Sequence, residues 1–286
     1  MYGESSPSHR REAFLKGLAR AGALLLVPLR IAYSVWVFVL ALGVGVSALP
    51  LLAVLPGVTR RRAAARALGR IFFTLAAMPV TLRFAERIPE GQCVLVCNHA
   101  SYLDGIVLTA ALPPRFSFVI KREMAAVPFA GGILKRLRSE FVERFDRKRG
   151  ARDARRLMRT ATLRGTSLVF FPEGTFTRTP GLLKFHTGAF ATAARASCPL
   201  VPAVLHGTRR ALPPSGALPR PGRIEMQILP PIAPLATTPQ QAAPELRDRA
   251  RTAMLAALGE PDLTCSADTA RRPDRARVRP VRASST

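Results

Sequence analysis

A histidine and an aspartate five positions apart are the first residues in this chain whose types and spacing could do chemistry. Asn98-His99-Ala100-Ser101-Tyr102-Leu103-Asp104 follows the apolar run CVLVC at 93–97. That puts an imidazole at the end of a strand and a carboxylate in the first turn of the next helix. A carboxylate bonded to one ring nitrogen fixes the tautomer and raises the basicity of the other, as a general base needs to take a proton from a hydroxyl. No paired serine or cysteine nucleophile is evident beside it, so direct attack by a substrate hydroxyl is the simpler chemistry. The same residues also read as an S-x-x-D capping box formed by Ser101 and Asp104, with His99 a plain loop residue. A second polar tip, Pro172-Glu173-Gly174-Thr175, follows the apolar run SLVFF at 167–171. An acid and a hydroxyl there, with Arg144, Arg178 and Lys184 close in sequence, could grip a polar ligand such as a phosphate.

Elements that could hold these tips are legible around them. Short apolar runs at 93–97, 116–120, 167–171, 199–205 and 223–229 read as strands, and stretches from Asp104, Arg152 and Gly188 read as helices. Strands alternating with helices predict an α/β domain with a largely parallel, mixed sheet flanked by helices, and ligands in such sheets gather beyond the carboxyl ends of the strands. Upstream, no charged residue occurs between Arg30 and Arg60, a run longer than the roughly 20 residues that cross a bilayer. Gly43, Gly45 and Pro50 interrupt it, so it reads as a tilted span or as a helical hairpin, and arginines on both flanks favour a re-entrant hairpin. Residues 60–82 then read as an amphipathic helix lying along a membrane. The divisions expected are a basic segment at 1–22, a membrane-associated helical region at 23–82, a catalytic domain at 83–258 and a disordered basic tail at 259–286.

Composition narrows the class. The chain has 286 residues, 48% of them hydrophobic, with 43 Lys+Arg against 18 Asp+Glu for a net charge of +25. Wholesale disorder and a disulfide-stapled miniprotein are excluded. So large a positive charge attracts any polyanion, whether nucleic acid, anionic membrane or phosphorylated metabolite. A nucleic-acid-binding protein is the alternative from a different class, but the arginines are not interleaved with aromatics and no reader motif is present. Cys93, Cys97, Cys198 and Cys265 lack zinc spacing, so neither a metal nor a cofactor is expected, and the compartment reads as reducing.

Taken together, NHASYLD at 98–104, FVER at 141–144, FPEGT at 171–175 and VPAVLHGT at 201–208 resemble the four ordered motif blocks of the lysophosphatidic acid acyltransferase (glycerolipid acyltransferase) family. The resemblance covers roughly residues 83–210. It implies transfer of an acyl chain from acyl-CoA or acyl carrier protein to the hydroxyl of lysophosphatidic acid, giving phosphatidic acid at the cytoplasmic face of the cell membrane. It implies His99 as base and Asp104 as its orienting partner. Asn98, Arg144, Glu173, Gly174, Thr175 and Arg178 become the substrate-binding candidates, with Pro202 in the fourth block. Two departures bear on the acceptor. Glu143 stands where the family usually has Asp, and Phe176 stands where it has Arg. A neutral ring cannot pair with phosphate, so another lysolipid, such as a lyso-ornithine lipid, is the alternative acceptor unless Arg178 supplies the charge.

Overall fold

A computed structural model of the chain describes residues 7–143, 156, 157, 159, 166–216 and 218–264, with side chains from Val27 onward. Arg144, most of the helix expected from Arg152, and the tail from residue 265 lie outside the described residues. The elements, in chain order, are α1 (Pro7–Val54), α2 (Val58–Leu75), β1 (Val80–Arg83), β2 (Val94–Cys97), α3 (Asp104–Ala111), β3 (Phe116–Lys121), α4 (Ala130–Arg136), β4 (Glu140–Val142), β5 (Ser167–Phe170), α5 (Gly188–Arg195), β6 (Leu200–His206), α6 (Thr208–Ala211), β7 (Ile224–Ile228) and α7 (Pro239–Leu258).

Seven strands form one sheet in the order β1-β7-β6-β2-β5-β3-β4. Every neighbouring pair is parallel except β6 with β7, so the sheet is mixed and largely parallel, as predicted. Side chains along a strand alternate between faces, and β2 divides the core accordingly. Leu95 and Cys97 face a cluster containing Phe72, Phe73, Val107 and Leu108 of α2 and α3. Val94 and Val96 face Phe190, Leu246, Ala250 and Met254 of α5 and α7. Helices therefore cover both faces, and β2 is buried throughout. In register, Val96 lies beside Phe170 of β5 and Pro202 of β6. Because these three central strands run parallel, the residues that follow them emerge on one edge of the sheet.

The apolar run upstream is a single helix through Val54, and Gly43, Gly45 and Pro50 do not break it. The hairpin turn falls instead at Leu55–Gly57, where Gly57 takes a positive φ of 76°, and α2 is its second arm. Val27–Val54 is long and apolar enough to cross a membrane, with Val35, Phe38, Val39 and Leu42 about half exposed or more. Tyr33 and Trp36 of α1 donate to the carbonyls of Ala76 (2.7 Å) and Leu75 (3.1 Å), which satisfies the end of α2.

Three arginines of α2, the helix expected to lie along a membrane, are turned to the protein. Arg62, Arg66 and Arg70, four residues apart, share one face of α2. Arg62 donates to the carbonyls of Leu137, Arg115 and Arg138, Arg66 to that of Ala111, and Arg70 to that of Ala110. The last two cap the carboxyl end of α3, where unpaired carbonyls and the helix dipole favour cations. Burial lowers the affinity of Arg62 and Arg66 for their protons. Gly69 allows the close approach, since a Cβ there would lie 3.2 Å from Ala110 Cβ.

Residues just beyond Gly259 pair with the body of the fold: Leu182 N–H donates to Pro261 O (3.0 Å) and Leu263 N–H to Leu182 O (3.1 Å). Asp262 pairs with Arg251 of α7 at 2.7 Å.

Candidate active site

Parallel β2, β5 and β6 deliver three tips to one edge: His99 after β2, Glu173 after β5, and Gly207-Thr208-Arg209 after β6. His99 Nδ1 lies 2.8 Å from Asp104 Oδ2. Asp104 is fully buried, whereas the His99 side chain keeps 20% of its surface. The same Oδ2 accepts the N–H groups of Ala100 (2.6 Å) and Ser101 (2.8 Å). The carboxylate thus turns the backbone between strand and helix as a capping residue would, and binds the imidazole as an orienting acid would. Only one half of the capping box forms, the Ser101 N–H bond to Asp104, because Ser101 Oγ donates to Leu212 O and accepts the N–H of Leu103 rather than that of Asp104. With Nδ1–H donated to Asp104, Nε2 is the unprotonated nitrogen of the neutral ring.

Two aromatic rings pack on this imidazole, and a third packs on one of them. Phe171 stacks on it with centroids 4.3 Å apart. Phe176 meets it edge-on at 4.4 Å, and Tyr102 packs edge-on against Phe176 at 4.8 Å. The rings hold the imidazole plane while Asp104 holds its edge. Phe176 was legible only as a missing arginine, and its place on the His99 ring needed the fold.

Glu173 is 3% exposed and turned inward. Its Oε1 accepts the N–H of His99 (2.7 Å) and its Oε2 that of Leu183 (2.9 Å). Burial pushes its carboxyl up to about 7, against the pull of those two N–H groups and of the Arg209 guanidinium. The carboxylate that sequence assigns to substrate is therefore bonded to the backbone that carries His99. Gly174, with φ 74°, makes the turn, and Thr175 beyond it is exposed.

Asn98 is likewise engaged within the fold. Its Nδ2 donates to Leu205 O (3.2 Å) and its Oδ1 accepts Leu205 N–H (2.7 Å), pinning the end of β2 to β6. Arg178 and Lys184 are exposed, and Pro202 is buried within β6. Glu143 faces Arg122 at 3.9 Å. Arg144 lies outside the described residues. Sequence reasoning missed Arg209, whose Nη1 donates to the carbonyls of Thr177 (2.7 Å) and Thr179 (3.2 Å).

Comparison with known proteins gives a consistent picture. Residues 79–206 match the family described as Acyltransferase. The chain is 30% identical over 176 residues to a 1-acyl-sn-glycerol-3-phosphate acyltransferase of Pseudomonas aeruginosa, covering 62% of this chain and 67% of that one. It is 27% identical to the enzyme of the same name from Cocos nucifera, over 57% of this chain and 53% of that one. A lyso-ornithine lipid O-acyltransferase of P. aeruginosa is 32% identical over 50% of this chain and 54% of its own length. The chain thus spans between about half and two thirds of the length of these curated relatives. The crystal structure of the 1-acyl-sn-glycerophosphate acyltransferase PlsC from Thermotoga maritima superposes with a TM-score of 0.66 at 20% identity, covering 80% of this chain and 95% of that one, a likeness of fold.

Proposed function

We propose, from the premise that this chain belongs to the acyltransferase family, that it transfers a fatty acyl group from a thioester to the free hydroxyl of lysophosphatidic acid, giving phosphatidic acid. The observation that carries this reading is the 2.8 Å contact of His99 Nδ1 with the buried Asp104 carboxylate, at a sheet edge shared with Glu173. His99 Nε2 takes the proton from the acceptor hydroxyl as its oxygen attacks the thioester carbonyl. The tetrahedral intermediate collapses by breaking the carbon–sulfur bond. The leaving thiolate takes the proton back from the imidazolium, so an ester and a free thiol are formed and the base is restored. Asp104, unable to move away from the ring, stabilises the imidazolium in between.

The donor is acyl-CoA or acyl carrier protein, and the basic surface suits either, since one carries phosphates and the other is acidic. Lysolipid acceptor and membrane are the partners; nucleic acid is not. The α1 helix supports attachment to the cell membrane, with the catalytic domain on the cytoplasmic face. A second acceptor is favoured by one observation: Phe176 packs on the His99 ring at the position where the family's motif has its phosphate-binding Arg. That supports a lysolipid without a phosphate beside the reacting hydroxyl, such as a lyso-ornithine lipid. The purified full-length chain, assayed with both thioester donors against lysophosphatidic acid and lyso-ornithine lipid, decides. Phosphatidic acid formation that disappears in His99→Ala is the expected result. Faster acylation of the phosphate-free lipid would move the assignment to it, and no transfer to any lysolipid would overturn the enzyme reading.

A further inference from the structure

The segment Thr175–Leu183, which carries the Phe176 ring that packs on His99, is held from behind by residues remote in sequence. Arg209 reaches across from the end of β6 to the carbonyls of Thr177 and Thr179, with its guanidinium mostly buried. Its Nη2 lies 3.4 Å from Glu260 Oε2. That same oxygen accepts the N–H of Gly181 at 2.7 Å. Beyond Glu260, Pro261 O and Leu263 N–H bracket Leu182 in a short parallel pairing. Asp262 is fixed by both Nη atoms of Arg251, whose Nη2 also donates to Leu182 O (3.1 Å). Gly181 has φ 140°, and a Cβ there would lie 2.5 Å from Leu263 and 2.7 Å from Pro261 O, so the two segments are in closest contact at that point. The next residue but one, Leu183, donates to Glu173, and Glu173 accepts from His99. Glu260 is therefore linked to the backbone of His99 through three hydrogen bonds and the two peptide links between Gly181 and Leu183. Arg209 and Glu260–Thr264 all lie outside residues 79–206, where the family match falls.

We propose that Glu260–Thr264 is a strap that sets the acceptor-binding segment, with Glu260 and Arg209 as positioning residues for acceptor capture. They act through the Thr175–Leu183 segment and touch no reacting atom. The assignment of that segment to the acceptor rests on the acyltransferase reading above; the mechanical part does not. Misplacing a binding segment by about an ångström is enough to cost up to a hundredfold. Loss of the strap is expected to act on the acceptor rather than the thioester donor.

The test uses the full chain and four variants: Glu260→Ala, Glu260→Gln, Arg209→Met and Arg209→Lys. Amide hydrogen exchange is read first, at Gly181, Leu182 and Leu183 against the β2 and β6 amides. Glu260→Ala is expected to lose protection at 181–183 while the strands keep theirs. Unchanged protection at 181–183 would overturn the strap whether or not the chain is an acyltransferase. Steady-state kinetics come second, on whichever lysolipid the wild type acylates. Glu260→Ala and Arg209→Met are expected to raise acceptor KM about tenfold to a hundredfold with donor KM unchanged. Glu260→Gln and Arg209→Lys, which keep one acceptor or one cation, are expected to recover part of that loss. Equal changes in both KM values, or a fall in kcat that merely follows thermal stability, would overturn the positioning role. An inactive wild type would sink the enzyme reading and leave the exchange result to judge the strap.

Discussion

Asp104 Oδ2 accepts the imidazole and two backbone N–H groups at once, so removing its charge acts on the chemistry and on the local turn together. Asp104→Asn is expected to lower both turnover and melting temperature. His99→Ala is expected to lower turnover by about 10²- to 10⁴-fold with the smaller loss of melting temperature, because Asp104 Oδ2 keeps its two backbone N–H partners when the imidazole is removed. Turnover and thermal unfolding of the two variants, measured side by side, check this split. Glu173 makes a different prediction. Its carboxyl is pushed from 4.5 up to about 7 in the folded chain. Between those values the native state binds more protons than the unfolded one, so stability falls as pH rises through this window. The full penalty, about 3 kcal/mol, applies above pH 7. Glu173→Gln removes that dependence at the cost of one acceptor. Its melting temperature is expected to decline less than that of the wild type between about pH 4.5 and 7, and parallel curves would contradict the assignment of the burial penalty to this residue.

At the scale of the element, α3 links the two ends of the problem. Its amino end carries Asp104, and its carboxyl end is held by Arg66 and Arg70. Arg62 is the more buried rung, donating to three carbonyls, and Arg62→Ala is expected to destabilise the chain by about 2 kcal/mol, read by thermal unfolding in detergent. How far such elements can be read from sequence depends on what buries them. The central strands are continuous apolar runs because both of their faces are covered, and all five that were expected are present. β1 and β4 escaped because they are edge strands of four and three residues, and VTLR alternates exposed and half-buried positions. α7 escaped because much of its buried stripe is alanine, with Ala242, Ala243 and Ala250 beside Leu246 and Met254, so its apolar period is faint. The motif histidine, aspartate and glutamate were legible by type and spacing. The partners of Arg62, Arg209 and Glu260 were not, because backbone carbonyls and N–H groups carry no sequence signature. The internal bonds of Asn98 and Glu173 were hidden for the same reason.

For the whole molecule, the arginine-rich composition means less than its net charge suggests. Many guanidiniums serve as internal ties, as at Arg62, Arg66, Arg70, Arg209 and Arg251, and the long exposed apolar side of α1 is the better guide to location. Alkaline carbonate extraction of membranes is expected to leave the full-length chain in the pellet, because buried apolar surface survives a treatment that removes electrostatic attachment. Release into the supernatant would contradict insertion of α1. A chain starting near Arg83 is expected to aggregate, since Phe72, Phe73 and Met78 complete the core cluster on one face of the sheet.

The pairing of β1 with β7 carries a consequence for how the chain is made. β1 is the first strand to leave the ribosome, directly behind α1 and α2, yet its neighbour in the sheet comes from residues 224–228. At typical synthesis rates that partner is delayed by roughly ten seconds or more, during which β1 is unpaired. Ribosome-stalled chains ending before Ile224 are expected to be cut by protease near residues 80–83. Chains long enough to release α7 are expected to resist. The helical segment and β1 are thus made well before the sheet can close, and β1 is held only when one of the last elements of the chain arrives.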